Sequence, residues 1–193
     1  MILPSLPSAI LLLLLGGAFI HFSIAGARTF YFVADGTSMA ANGMEIVFYF
    51  MGTGVTWWRG VRQAVPPANG WAAALILLGA LALYEGARHA IWGRRFGVAW
   101  GAHVPETLCD DGPYRYIRHP LYTSYALASA AELVALPHWS TAATLLFNVV
   151  LWTWLARRDE RTIAGSPLAA DYAAYRQRTG MFFPKLSSAA PGR

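Results

Sequence analysis

Five apolar runs divide the chain: Leu6 to Ile24, Met44 to Trp58, Trp71 to Gly86, Leu121 to Leu136 and Ser140 to Ala156. Crossing a bilayer as a helix takes about 20 residues, and these runs approach that length without strand-like alternation. The pattern predicts an all-α, polytopic membrane protein with about five transmembrane helices. A helical pattern from Leu168 to Thr179, stopped by Gly180, predicts a C-terminal helix outside the membrane. The expected organisation is one membrane domain. Residues 1–87 hold three spans, 88–120 a long connection, 121–156 a helical hairpin reversing at Pro137-His138-Trp139, and 157–193 a polar tail. The first run is read as a span rather than a signal peptide, despite the small residues Ala25-Gly26-Ala27, because no Lys or Arg precedes it. The fourth run carries Thr123, Ser124, Tyr125, Ser129 and Glu132, so one of its faces is expected to pack on protein rather than lipid. Gly52 and Gly54 in the second run suit close approach of another helix.

Composition agrees with the pattern. Apolar residues make up 56% of the chain and charged residues only 13%, about half the share of an ordinary soluble domain. The net charge is +5, but the Arg residues flank the apolar runs instead of forming a stripe on a polar helix. Membrane lipids are therefore the expected partner and nucleic acid is not. With five spans, every one of the 15 basic residues except Arg59 and Arg62 falls on one side. That side is the cytoplasm by the positive-inside rule, and it carries the long connection and the tail. The single cysteine, Cys109, excludes an internal disulfide.

Chemistry concentrates in Asp110-Asp111-Gly112-Pro113-Tyr114-Arg115-Tyr116-Ile117-Arg118-His119-Pro120-Leu121-Tyr122. Gly112-Pro113 forces a turn, and Pro120 suits the first turn of a helix, where its missing N–H is not needed. The helix start then gathers a cation at Arg118, an imidazole at His119, a phenol at Tyr122 and the positive end of the helix dipole. Together they suit a carboxylate or another electron-rich group. Other polar groups read more simply. His21 and Glu132 are expected at the membrane boundary, and Glu45 at a helix end. Glu85, Arg88 and His89 share a helix face as a solvated terminus, with too few ligands for a metal. No metal site is expected.

The run Gly-Pro-Tyr-x-x-Ile-Arg-His-Pro-Leu-Tyr resembles the signature of the integral-membrane methyltransferases related to isoprenylcysteine carboxyl methyltransferase and phospholipid N-methyltransferase. The likeness runs from Glu106 to Leu186 and includes Asp159-Glu160, the Tyr-x-x-Tyr of Tyr172 and Tyr175, and Phe183-Pro184. It implies S-adenosylmethionine as the methyl donor and a lipophilic or lipid-modified acceptor. Prenylated-cysteine carboxylates, hydrophobic acids or thiols, and phospholipid amines all fit. Carried over by position, Thr107, Leu108, Cys109, Tyr114, His119, Pro120, Leu121, Tyr122 and Glu160 would contact the donor. Arg157, with Arg158 beside it, would hold an anionic acceptor in the catalytic site. The chain departs from the pattern at Asp159 for Glu, at Ser124 for Gly, and at Ser166-Pro167-Leu168 where Phe-Gly is usual. Two other readings compete: an NADPH-dependent membrane reductase, disfavoured by Pro120 and Tyr172, and a non-catalytic membrane accessory protein.

Overall fold

The structure is a computed structural model that describes residues 6–29, 65–92 and 106–185, with isolated positions between 52 and 62. It is all helical apart from one short bridge. The helices are α1 (Leu6–Thr29), α2 (Pro67–Ile91), α3 (Pro120–Ala135), α4 (Trp139–Ala164) and α5 (Ala169–Arg178), with a 3-10 turn over Gly112–Arg115. The expected run Met44 to Trp58 and the carboxylate Glu45 lie outside the described residues, except for scattered positions.

Local sequence accounts for the helix ends. Pro67 and Pro120 open α2 and α3, where a proline costs no hydrogen bond and its fixed φ is already helical. His138 caps α4: its Nδ1 accepts from the N–H of Ser140 at 3.2 Å, while Thr141 Oγ1 accepts from the N–H of His138 at 3.2 Å. Thr141 also donates to the Leu136 carbonyl at 2.8 Å, so the hairpin between α3 and α4 closes on its own polar groups. Arg59 donates to the same His138 ring at 3.1 Å.

The core lies where α2 packs between α1 and α3. Ala73, Ala80 and Ala87 recur every seven residues on α2 and are fully buried, as are Ala131 and Ala135 on α3. Small side chains on both surfaces let the two backbones approach closely. Leu77 and Tyr84 fill the space between them, and Leu11, Leu15 and Phe22 of α1 close the other side. Ser124, Ser129 and Glu132 of α3 are buried on protein, as the polar content of that run required. Asn148 of α4 donates to Ser129 at 2.7 Å. Glu132, expected at the membrane boundary, is buried in protein near the C-terminal end of α3. At Gly52 a side chain would meet Thr144 of α4 at 2.6 Å, whereas Gly54 has open space around it.

The expectation of about five transmembrane helices is not met. Among the described residues only two helices, Pro67–Ile91 and Trp139–Ala164, are long and apolar enough to cross a membrane. The apolar part of α1, Ser8–Phe22, is shorter than a crossing of about 20 residues needs. The α3 helix has 16 residues, and its polar face is turned into protein. A hydropathy run does not distinguish apolar surface covered by neighbouring helices from apolar surface facing lipid. The two long helices do turn apolar groups outward: Trp71, Leu75 and Leu78 on α2, and Trp139, Leu146, Val150 and Trp154 on α4.

The helix α4 also outruns its apolar stretch. It continues past Ala156 for about two turns, so Asp159 and Glu160 sit on a rigid extension of a long helix rather than in a flexible tail.

Candidate functional site

The site forms where the chain before α3, the polar end of α4 and the tail after α5 meet. Gly112 adopts φ +52°, a left-handed conformation that glycine tolerates, and starts the 3-10 turn. Pro113 packs against Gly86, where an added Cβ would lie 3.1 Å from the proline ring. The turn is thereby seated on the end of α2, with Tyr114 buried beside Ala87, Ile91 and Cys109.

The tail is stitched to the next residues. Gly180 N–H donates to Tyr116 C=O at 3.2 Å, Arg118 N–H to Gly180 C=O at 2.8 Å and His119 N–H to Met181 C=O at 3.1 Å. Tyr175 donates its phenol to the Tyr114 carbonyl at 2.6 Å, and Arg178 pairs with Asp110 at 2.6 Å. The irregular Ser166-Pro167-Leu168 stretch therefore does not prevent the tail from docking on the signature.

Glu160 lies at the junction, with only 7% of its side chain exposed. Arg118 Nε donates to it at 2.7 Å and His119 Nε2 at 3.3 Å, and Arg176 Nε approaches to 3.6 Å. A carboxylate only accepts, so His119 carries a proton on Nε2. Arg118 is also turned inward, bonding the Thr179 carbonyl at 2.5 Å. Burial opposes the charge on Glu160, but the bonds from His119 and Arg118 outweigh it and hold the carboxyl down at about 2.

Its neighbour Asp159 differs. It accepts from Tyr122 Oη at 2.8 Å, and burial pushes it up to about 6 against the pull of Tyr122, His119 and Arg158. The Tyr122 ring stacks on His119 (centroids 5.5 Å apart, 8°) and on Trp152 (5.2 Å, 17°). Phe182 from the tail lies 6.0 Å from the His119 ring. Burial raises the phenols of Tyr114, Tyr172 and Tyr175, and the charge of Glu160 raises Tyr172 further, so all three are neutral donors near pH 7.

The structure brings together Tyr114, His119, Pro120, Leu121, Tyr122 and Glu160 among the residues expected from sequence. Cys109 is buried nearby, its thiol directed at the Ala90 carbonyl at 3.6 Å. Thr107 is exposed and Leu108 half-buried at the entry to the turn. Arg157 is exposed on α4, and Arg158 leans over the Trp154 ring at 5.9 Å. Sequence reasoning pointed to the cation at Arg118 and the acidic pair Asp159-Glu160 without giving Arg118 or Asp159 a place among the contact residues, and it missed Arg176 and Trp152. Arg118 adjoins His119, and Trp152 and Asp159 are seven residues apart on one helix, so helical spacing was the available signal. The Glu85 group is more organised than a solvated helix end: Arg88 grips Glu85 through two nitrogens, at 3.0 and 2.7 Å, and His21 of α1 reaches it at 2.5 Å.

Residues 74–163 match the model of the Isoprenylcysteine carboxyl methyltransferase (ICMT) family. The matched stretch starts earlier than the resemblance read from the signature, within α2, and stops before the tail. It contains Tyr114, His119, Tyr122, Asp159 and Glu160. Two curated proteins are similar over comparable lengths. The cobalt-zinc-cadmium resistance protein CzcN of Cupriavidus metallidurans is 33% identical over 86 residues, 42% of this chain and 37% of that protein. A methanethiol S-methyltransferase from a Pseudomonas species is 33% identical over 92 residues, 45% of this chain and 33% of that protein. The chain thus matches about a third of the length of these relatives. No solved structure matches it significantly.

The side chains fit the methyl donor that such a family uses. S-adenosylmethionine presents a carboxylate, an ammonium, a sulfonium and an aromatic base. Here cations stand at Arg118 and Arg176, a carboxylate at Glu160, and ring faces at His119, Tyr122 and Phe182. No side chain caps the N-terminus of α3.

Proposed function

We propose that the protein is a membrane methyltransferase of the isoprenylcysteine carboxyl methyltransferase type. It transfers a methyl group from S-adenosylmethionine to a small lipophilic acceptor bearing an acid or a thiol. The observation that carries this reading is the convergence of His119, Tyr122 and Glu160 in one cluster inside the family-matched stretch. The thiol alternative is supported by the likeness to a methanethiol S-methyltransferase.

In this reading the donor is held between the loop Thr107, Leu108 and Cys109, the turn at Tyr114, and the α3 start at His119, Pro120, Leu121 and Tyr122. When bound, it supplies an electrophilic methyl on a sulfonium. Glu160 serves by fixing Arg118, whose positive charge suits the donor's carboxylate, and by orienting the His119 ring. The stacked faces of His119 and Tyr122 suit the adenine or the sulfonium. Arg157 and Arg158 would meet an anionic acceptor. Holding two reactants in line contributes about 7–11 kcal/mol to such a transfer, so most of the work assigned to these residues is positioning.

The outward apolar faces of α2 and α4 support an integral-membrane location with access from lipid. The cytoplasmic orientation is supported by charge. Arg157, Arg158, Arg161, Arg176, Arg178 and Lys185 gather at the polar end of α4 and on the tail, while Arg59 contacts the opposite end of α4 at His138.

Titration of the purified protein with S-adenosylhomocysteine tests the proposal. Saturable binding is expected, weakened at least tenfold by His119→Ala. An absence of binding by the unmodified protein would refute it.

A further inference from the structure

Two adjacent carboxylates at the end of α4 are in opposite situations. Glu160 is committed to Arg118, His119 and Arg176 and has no capacity to take a proton near neutral pH. Asp159 takes no ion pair among the described residues; its one hydrogen bond is from the Tyr122 phenol. Seven residues, about 10 Å, back along the same face of α4 stands Trp152. Its side chain is buried and its indole N–H has no hydrogen-bond partner among the described residues. Both residues touch Tyr122: Trp152 stacks on its ring and Asp159 binds its hydroxyl. A buried donor without a partner costs about 1–3 kcal/mol, which a bound acceptor group would offset. A carboxylate whose hydrogen bond comes from a neutral phenol, with no ion pair formed, keeps lone pairs able to take a proton.

A thiol is the acceptor chemistry that needs both. A carboxylic acid is already ionised at neutral pH, but a thiol, with a pKa of about 8.5 in a cysteine side chain and higher in a simple alkanethiol, is mostly protonated. We propose that Asp159 is the base that ionises a thiol acceptor and that Trp152 donates its indole N–H to the resulting thiolate. This rests on the methyltransferase reading above and narrows its acceptor to a thiol. The thiol S–H bond breaks and its proton passes to the Asp159 carboxylate. The freed sulfur electron pair forms the new C–S bond to the donor's methyl. The methyl–sulfonium bond breaks, its pair staying on the donor's sulfur. The products are a thioether, S-adenosylhomocysteine and protonated Asp159, which returns its proton to water. The charged and titratable groups facing Asp159 are Tyr122 of α3 and His119 at its start, with Arg158 and Glu160 on its own helix. Burial places Asp159 at about 6, inside the range where a base is effective at neutral pH.

The test uses the full chain in detergent with butanethiol and S-adenosylmethionine across about pH 5–11. For the unmodified protein kcat/KM is expected to rise through about pH 6 and then level. Asp159→Asn still accepts a hydrogen bond from Tyr122 and is expected to bind S-adenosylhomocysteine within about twofold of normal. Its kcat/KM is expected to fall about 100-fold at pH 7 and to recover as the pH nears that of the thiol's own ionisation. Asp159→Glu is expected to restore part of the rate, and Trp152→Phe, which keeps the stack, to lower it about tenfold. A readout without turnover is carboxyl carbon NMR of the S-adenosylhomocysteine complex. A group titrating near pH 6 is expected, absent in Asp159→Asn and shifted by butanethiol. The proposal is overturned if Asp159→Asn keeps the normal pH profile, or loses the same factor at every pH. Donor binding with no methylation of butanethiol overturns the thiol assignment. Failure of the unmodified protein to bind S-adenosylhomocysteine removes the methyltransferase reading itself.

Discussion

Glu160→Gln is the sharpest probe of how the site is held together. The substitution preserves volume and leaves an amide oxygen able to accept from Arg118, but it removes the charge that Arg118 and Arg176 face. Holding the carboxyl at about 2 instead of 4.5 corresponds to about 3 kcal/mol, at 1.36 kcal/mol per tenfold change. Removing one partner of a buried pair typically costs about 3–5 kcal/mol, and here the surviving cation, Arg118, is only 8% exposed. The retained amide contact trims this to about 2–3 kcal/mol. In a chain of this size each kcal/mol moves Tm by about 2–4 °C, so a drop of about 4–12 °C is expected. Tryptophan fluorescence during heating in detergent measures it. The pH dependence adds a second signature. Because the folded carboxyl is depressed, its stabilisation is complete above about pH 4.5 and is lost as the pH falls through about 2. The variant and the parent should therefore differ by a constant amount near neutrality and converge in acid. A variant within about 1 °C of the parent at pH 7, or a gap that does not close on acidification, would refute the assignment of Glu160 as the clamp.

Asp159→Asn has the opposite sign. The folded carboxyl is raised from 3.8 to about 6, so it favours folding below its ordinary pKa and penalises it as the pH rises through about 6. The variant is expected to melt a few degrees above the parent at pH 8 and level with it near pH 4, read by the same heating experiment. Gly180→Ala would drive a Cβ into the Phe183 carbonyl, so the tail is expected to detach from Tyr116 and Arg118; limited proteolysis should then cut between residues 165 and 185 at least tenfold faster. Cys109 is buried against the Ala90 carbonyl, and thiol labelling is expected to be at least a hundredfold slower in the folded protein than after denaturation.

Much of the local architecture was legible in the residues themselves. Proline at 120 marks a helix start, Pro137-His138-Trp139 marks the hairpin, and Gly180 ends the last helix, because backbone constraints of this kind act between near neighbours. The signature turn and its chemistry could be located for the same reason, and the polar face of α3 had to find protein. Tertiary structure decided the rest. It reduced the expected five crossings to two among the described residues, since apolar length alone does not say whether lipid or another helix covers a surface. It carried α4 two turns beyond its apolar stretch, turning an acidic pair into two groups with opposite tasks. It set Arg118 and Arg176 against Glu160 and Tyr122 against Asp159, contacts that depend on how helices cross and where the tail returns. Helix propensity and spacing act over a few residues, whereas the environment that fixes each charge is assembled from segments dozens of residues apart.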